Sequence, residues 1–155
     1  MMKNYKGIKI EIKPTIEQIE KINKTIGTGR FLYNFYIAYN KEIYEKEKRF
    51  VTGFEFSKYI NNIFIKENPD KSWIKDVSSK SNKQAIMNSE KAFKRFFNKI
   101  SSFPKFKKKS HNNQKCYFFK NNKTDFEFYR HKIKIPTLKF VRLKEYGYIP
   151  KNTRR

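Results

Sequence analysis

The sequence predicts an α+β fold, with a strand first, helices through the middle and a second β-prone region at the end. Three observations predict it. Ile8, Ile10 and Ile12 alternate with Lys9, Glu11 and Lys13, the period-two pattern of a strand with one buried face. From residue 15 to about residue 100, apolar residues recur at helical spacing. After Phe103-Pro104, short β-prone pieces follow at Tyr117–Phe119, Phe126–Tyr129, Ile133–Ile135 and Phe140–Leu143. A first strand that must rejoin strands about a hundred residues later predicts four helices inserted into a small β domain.

Each element has its own signal. Pro14 closes the first strand, and Thr15 with Gln18 three residues on forms a capping box that opens a helix carrying Ile16, Ile19, Ile22 and Ile26 on one stripe. Gly27 and Gly29 are expected to end it. A second helix, over 30–48, places Phe31, Leu32, Phe35, Tyr36, Tyr39 and Ile43 on one face and Tyr33, Ile37 and Tyr44 on another, so both sides should pack. Thr52 with Glu55 is a second capping box, ahead of a helix with Phe56, Tyr59, Ile60, Ile63 and Phe64 spaced for a core. Asn68-Pro69-Asp70 reads as a turn and Trp73-Ile74 as a short link, with Trp73 a core plug. From Ser79 a fourth helix carries Ala85, Ile86, Ala92, Phe93, Phe96 and Phe97 on a stripe that Ser89 interrupts. His111-Asn112-Asn113-Gln114 is loop-like, and Pro150 to Arg155 reads as a frayed end. A boundary is expected near Ser101–Lys109.

Composition narrows the function classes. The 155 residues fit one compact domain or two small subdomains, which excludes a large multidomain enzyme. The single Cys116 cannot form an internal disulfide, and no cationic stretch followed by an apolar one opens the chain, so it reads as cytoplasmic. No apolar run approaches the ~18–20 residues that a membrane helix needs, so no membrane partner is expected. The net charge is +23, and it is unevenly placed: residues 1–90 carry +6 and residues 91–155 carry +17. Between Lys91 and Thr124 there is no Asp or Glu. So dense a like-charge field opposes compaction, and phosphate neutralisation with counterion release would offset that cost.

The candidate binding residues follow from this charge. Lys94, Arg95, Lys105, Lys107, Lys108 and Lys109 suit phosphates, which give affinity without sequence information. The alternative is a solvated face kept soluble by lysine. Phe103, Phe106, Tyr117, Phe118 and Phe119 interleave with them, either to stack bases or to fill a core. Arg30 and Asn34 stand one helical turn apart. An Arg fork suits phosphate and Asn suits a base edge or 2′-hydroxyl, whereas a structural pair would tie the helix start to a loop and satisfy a buried carbonyl. Ser79, Lys80, Lys83 and Gln84 on the first turns of the fourth helix present donors of the kind that read major-groove edges, with Ser57 and Lys58 as further candidates. An ordinary polar helix face is the other reading. The acidic residues form no obvious cluster for two-metal chemistry, and Cys116, His111 and His131 cannot build a four-ligand zinc site. No catalytic residue, metal or other cofactor is expected.

Five segments, in order, carry a resemblance. Tyr5–Pro14 followed by Gly29-Arg30-Phe31-Leu32-Tyr33-Asn34 is the first. Ser72-Trp73-Ile74-Lys75-Asp76-Val77 is the second, and Gln84-Ala85-Ile86 with Lys91-Ala92-Phe93-Lys94-Arg95-Phe96-Phe97 the third. Phe103-Pro104-Lys105-Phe106-Lys107 and Ile133-Lys134-Ile135-Pro136 complete the set. Together they resemble the N-terminal part of the TnpB (OrfB) family, transposon-encoded proteins similar to the compact RNA-guided nucleases of type V CRISPR systems. The resemblance implies a small partial β-barrel, the wedge, formed by residues 1–14 and 101–155. It implies a four-helix recognition domain, also described as a helix-turn-helix, inserted over 15–100. It implies as partners a guide RNA and double-stranded DNA beside the target. The RuvC-like nuclease and zinc ribbon of the family are not within these residues, so the expectation is a binding fragment that works with a separately encoded nuclease part. The alternatives are a stand-alone helix-turn-helix regulator and a decayed transposon remnant.

Departures from the family pattern sharpen the expectations. Its Pro-Lys-aliphatic-Gly turn is Pro136-Thr137-Leu138-Lys139 here, so a glycine free to take positive φ has become lysine. Its proline before the fourth helix is Ser78. Asn82 and Ser89 occupy apolar family positions, which is expected to weaken the packing of that helix.

Overall fold

The computed structural model of the chain describes residues 7–110, 115–120 and 127–146. The His111–Gln114 loop, Phe126 and the end from Pro150 to Arg155 lie outside the described residues. The elements run β1 (Ile12–Lys13), α1 (Ile16–Glu47), α2 (Gly53–Tyr59), a π-helical turn (Ile60–Phe64), α3 (Ile65–Glu67), a 3₁₀ segment (Pro69–Asp76), α4 (Ser79–Phe97), β2 (Lys132–Ile135) and β3 (Lys139–Leu143). This mixture of helices and a small open antiparallel sheet is an α+β fold. Two compact units divide the chain: Lys21–Phe119, and Met1–Glu20 with Lys120–Arg155.

In the second of these, β3 lies between β1 and β2, antiparallel to both, with Ile12 opposite Leu143 and Ile133 opposite Val141. The first strand therefore does rejoin strands from the far end of the sequence. Strand pairing at the N-terminus is shorter than expected. Only Ile12 and Lys13 pair, although the Lys144 amide still donates to the Glu11 carbonyl at 2.9 Å. Ile8 is exposed. Of the other β-prone pieces, Tyr117–Phe119 forms no strand, and Phe128 makes a single bridge to Ile133.

The Thr15 box forms as expected. The Thr15 amide donates to Gln18 Oε1 at 2.9 Å and the Gln18 amide to Thr15 Oγ1 at 3.3 Å. Gln18 then spends its side-chain NH₂ on the Leu138 and Phe140 carbonyls, at 2.9 and 2.8 Å, and so fixes the start of α1 to the β2–β3 turn. That turn carries Thr137 at φ 74° and Lys139 at φ 61°. Lysine at 139 thus does occupy the left-handed region where its Cβ crowds the following carbonyl.

The helix expected to stop at Gly27 does not stop. Helix α1 continues through Gly27-Thr28-Gly29 to Glu47, fusing the first two expected helices into one of 32 residues. Each glycine costs about 1 kcal/mol against alanine, which long-range packing easily outweighs. An ideal Cβ on Gly29 would stand 3.5 Å from the Ala85 Cβ, so small residues on α1 and α4 meet here. The Ile16 stripe is corrected too. Ile16 and Ile19 are exposed, whereas the buried face of α1 is Thr25, Thr28, Leu32, Tyr33, Tyr36, Ile37 and Asn40.

The core of the Lys21–Phe119 unit is aromatic. Phe56 is fully buried and meets Phe35, Tyr36 and Tyr39 with ring centroids 5.2–5.3 Å apart, and Tyr36 also meets Phe93 at 5.9 Å. Polar groups inside it are paired: Tyr36 donates to the Val51 carbonyl at 2.8 Å, and the Val51 amide donates to Asn40 Oδ1 at 2.8 Å. Burial pushes the Tyr36 hydroxyl far above its usual range, with Glu90 adding to the shift. The Asn68-Pro69 turn begins a 3₁₀ helix, and there Ile74, not Trp73, is the plug: Ile74 is 2% exposed and Trp73 37%, with its ring against the edge of Phe31.

Helix α4 corrects two further expectations. Ser89 does not interrupt its stripe but is fully buried in it, donating to the Tyr33 carbonyl at 3.1 Å. Asn82 donates to the Ile74 carbonyl at 2.8 Å. Both polar residues therefore tie α4 to neighbouring backbone. The helix ends in a Schellman motif with Lys99 at φ 58°, the Ile100 amide donating to the Arg95 carbonyl and the Lys99 amide to that of Phe96.

Two stability outcomes follow. The Thr52 box is complete, and hydrogen bonds from Thr52, backbone first, hold the Glu55 carboxyl below its usual value. A depressed carboxylate contributes stability above its unfolded pKa and loses it as pH falls through the folded one. Thr52→Ala should therefore cost about 1 kcal/mol at neutral pH, and the gap from wild type should narrow in chemical denaturation as pH falls below the ordinary carboxylate range. Lys139→Gly should raise stability by about 1 kcal/mol, because glycine relieves the left-handed strain. Lys139→Ala, which keeps a Cβ, should give no such gain in the same melts.

Candidate nucleic-acid interface

Within the Lys21–Phe119 unit, the basic residues fall on three features. The first is the segment 101–110, which has no helix or strand and whose residues other than Pro104 keep a substantial exposed surface. What holds it is Asn34. The Asn34 NH₂ donates to the Lys107 carbonyl at 2.9 Å and the Lys107 amide donates to Asn34 Oδ1 at 2.8 Å. One side-chain amide thus takes both polar groups of one peptide residue, in the manner of a β-bridge. Lys107 then lays its Nζ 4.1 Å from the centre of the Tyr33 ring. Burial lowers the Lys107 pKa, and the neighbouring Lys115 lowers it further. Lys105, Lys108 and Lys109 extend from the same anchored segment.

Phe103 packs on Phe93 and Phe96 at 5.5 and 5.3 Å, yet 43% of it stays exposed, as does 55% of Phe106. Tyr117 is exposed and stacks on Phe119 at 5.8 Å, while Phe118 and Phe119 are half-buried. The Ser81 hydroxyl donates to the Tyr117 carbonyl and ties that strip to α4.

The second feature is a groove of about 260 Å³ between α1, α4 and the strip 115–117. Its lining includes Arg30, Lys107, Lys108 and Lys115 with Ile26, Ala85, Phe106 and Tyr117, and among the described residues no carboxylate. Arg30 and Lys107 therefore share one hollow, but Asn34 is not in its lining.

The third feature is the start of α4. Ser79, Lys80 and Lys83 border a separate groove of about 350 Å³, together with Ser57, Asn61 and Lys75. The first turn of α4 has no acidic residue, and Ser78 makes no side-chain cap, so its first amides are left without a side-chain cap. The Ser57 hydroxyl in this groove is buried and makes no hydrogen bond. Gln84 lies outside it, its NH₂ donating to Asn88 Oδ1 at 2.9 Å. Lys58 sits over the Phe54 ring at 4.5 Å. Farther along α4, Lys94 pairs with Glu90 at 3.4 Å, and Arg95 is exposed.

Sequence reasoning placed the charge but missed three participants. Lys115 lies in the groove and bears on Lys107. Tyr33 lies on a face whose pattern indicates packing, and no pattern singles out Ser81. No local signal marks them, because both act through residues more than thirty positions away in sequence. Among the described residues, no three His, Cys, Asp or Glu side chains converge as metal ligands, and no helix is long and apolar enough to cross a membrane.

The Asn34 bond pair carries a direct consequence. Asn34→Ala removes both partners of the Lys107 peptide, each worth about 1 kcal/mol. Hydrogen–deuterium exchange at the Lys107 amide should then accelerate about tenfold while that of Tyr36 in the core holds. Equal exchange in the two proteins would mean that other groups hold the segment.

Residues 1–49 match the helix-turn-helix domain family of IS605 OrfB proteins (HTH_OrfB_IS605). The described part of that stretch holds β1 and all of α1. Over 111 residues the chain is 27% identical to InsQ of Escherichia coli (strain K12), which is named as a putative RNA-guided DNA endonuclease. The alignment takes in 72% of this chain and 27% of InsQ, so the chain spans about a quarter of that curated relative. With strand, helix and basic face in place, both comparisons support a likeness to the N-terminal part of TnpB (OrfB) family proteins.

Proposed function

We propose that these residues grip nucleic acid for a TnpB-type, RNA-guided transposon protein, holding a guide RNA and inspecting the duplex beside its DNA target. The observation that carries this reading is the basic segment 105–109, without carboxylates of its own and pinned by Asn34 to α1. A stretch kept only for solubility has no need of a bidentate anchor. The name of InsQ, which joins RNA guidance to DNA cleavage, supports RNA and DNA as the two partners.

The division of labour follows the geometry. Lys105, Lys107, Lys108, Lys109, Lys94 and Arg95 serve phosphates, with Arg30 beside them. The start of α4, with Ser79, Lys80, Lys83 and Gln84, faces base edges of the adjacent duplex. Asn34 acts as the clamp of the basic segment. Residues 1–14 and 101–155 are the wedge, residues 15–100 the recognition part, and the work is done in the cytoplasm. These residues bind without cutting, and cleavage belongs to a nuclease part outside them. Phosphate contacts without base contacts give affinity alone, so sequence preference must come from the α4 side.

The test is to purify the protein through a high-salt wash and sequence the nucleic acid that stays bound, with RNase and DNase controls. A discrete structured RNA encoded beside the protein's own gene is the expected result. Random fragments, or binding that vanishes above about 200 mM salt as bare phosphate contacts do, would contradict a guide-binding role. In a titration of salt, the Lys105→Ala, Lys108→Ala, Lys109→Ala triple variant should flatten the slope of log K against log salt. The expected change is about 0.7 for each phosphate that is no longer neutralised on a single strand.

A further inference from the structure

The groove between α1 and α4 differs in kind from the lysine-rich surface around it. A duplex backbone needs only exposed cations, and the segment 105–109 supplies those. The groove adds concavity, an apolar floor and aromatic rims. Gly29 and Ala85 form part of that floor, where an ideal Cβ on Gly29 would stand 3.5 Å from the Ala85 Cβ. Phe106 and Tyr117 line its sides, both substantially exposed. Among the described residues, the cations Arg30, Lys107, Lys108 and Lys115 line it and no carboxylate does.

Such an arrangement suits an anion. Lys107 is partly withdrawn from water against Tyr33 and faces Lys115, and both effects disfavour its charged form. A phosphate placed there would offset both by direct attraction. Ordinary ligand sites begin near ~300 Å³, so a hollow of about 260 Å³ suits a single flat ring and not a large molecule. Aromatic faces beside a positive track are what proteins use to hold unpaired bases, since every base has a π-face to stack.

We propose that this groove receives one unpaired nucleotide of a single-stranded nucleic acid, its base against Tyr117 and its phosphate among Arg30, Lys108 and Lys115. The inference rests on the nucleic-acid reading above and adds to it a strand state and a position. Paired bases are excluded because stacking within a duplex covers both faces of each ring.

The sequence provides its own reporter. Cys116 is the single cysteine of the chain, and it lines the groove. Burial raises its thiol pKa, so labelling is best followed at about pH 8.5. The protein would be saturated, as judged by fluorescence anisotropy, with a short RNA of about ten nucleotides, the DNA of the same sequence, or that DNA as a duplex. Maleimide labelling of Cys116 would then be timed. A single strand should slow labelling at least fivefold and the duplex should not, with the stronger of the RNA and DNA arms identifying the strand accepted. Tyr117→Ala should weaken single-strand binding about tenfold and leave duplex binding within twofold. Lys105→Ala, outside the groove, should weaken both alike. Saturation by single strands with Cys116 still reactive, or equal protection by the duplex, would overturn the groove assignment and leave nucleic-acid binding intact. No binding of any of the three probes would overturn both.

Discussion

Nine lysine and arginine side chains from Lys91 to Phe119, with no carboxylate among them, are the constraint that the Lys21–Phe119 unit is built to bear. Such a stretch cannot hold itself together, since its members repel one another. It is carried instead by neutral contacts. Asn34 clamps the Lys107 peptide, Phe103 packs on Phe93 and Phe96, and Ser81 holds the Tyr117 carbonyl. Each of these anchors joins a polar or aromatic side chain to a helix, and none of them uses an ion pair. The anchoring therefore consumes none of the positive charge.

Those anchors work only because the helices beneath them are rigid. Phe56 sits at the meeting of Phe35, Tyr36 and Tyr39, and loss of a ring of this kind costs about 3–5 kcal/mol, against a typical domain stability of ~5–15 kcal/mol. The unbroken run of α1 through Gly27 and Gly29 has a functional side. It keeps Arg30 and Asn34 on one continuous helix, in register with Gly29 and the groove floor. A break at Gly29 would uncouple the clamp from the hollow it borders.

What was legible in the sequence was local. Both capping boxes, Thr15 with Gln18 and Thr52 with Glu55, depend on residues three apart and form as read. The β2–β3 hairpin and the end of α1 near Lys48 were likewise written in short patterns. The positive φ of Lys139 was legible from the glycine that the family turn carries there. Contacts across sequence distance were not. Gly29 looks like a helix terminator until Ala85 is seen against it, and Ser89 looks like a flaw in a stripe until the Tyr33 carbonyl is found above it. Trp73 is the largest side chain of its segment, yet the smaller Ile74 fills the core. At the candidate site, the type and density of charge were readable, while the clamp by Asn34 and the hollow beside Arg30 needed the helices in place.

The central claim is that the basic segment and the groove form a nucleic-acid face on the Lys21–Phe119 unit. Backbone amide chemical shifts, followed by heteronuclear NMR as a short single-stranded RNA is titrated in, test it most directly. Shifts concentrated at residues 29–34, 81–88, 105–109 and 115–117 are the result this account predicts. Shifts gathered instead around Lys41–Arg49, where lysines alternate with glutamates, or spread evenly over every exposed lysine, would contradict it.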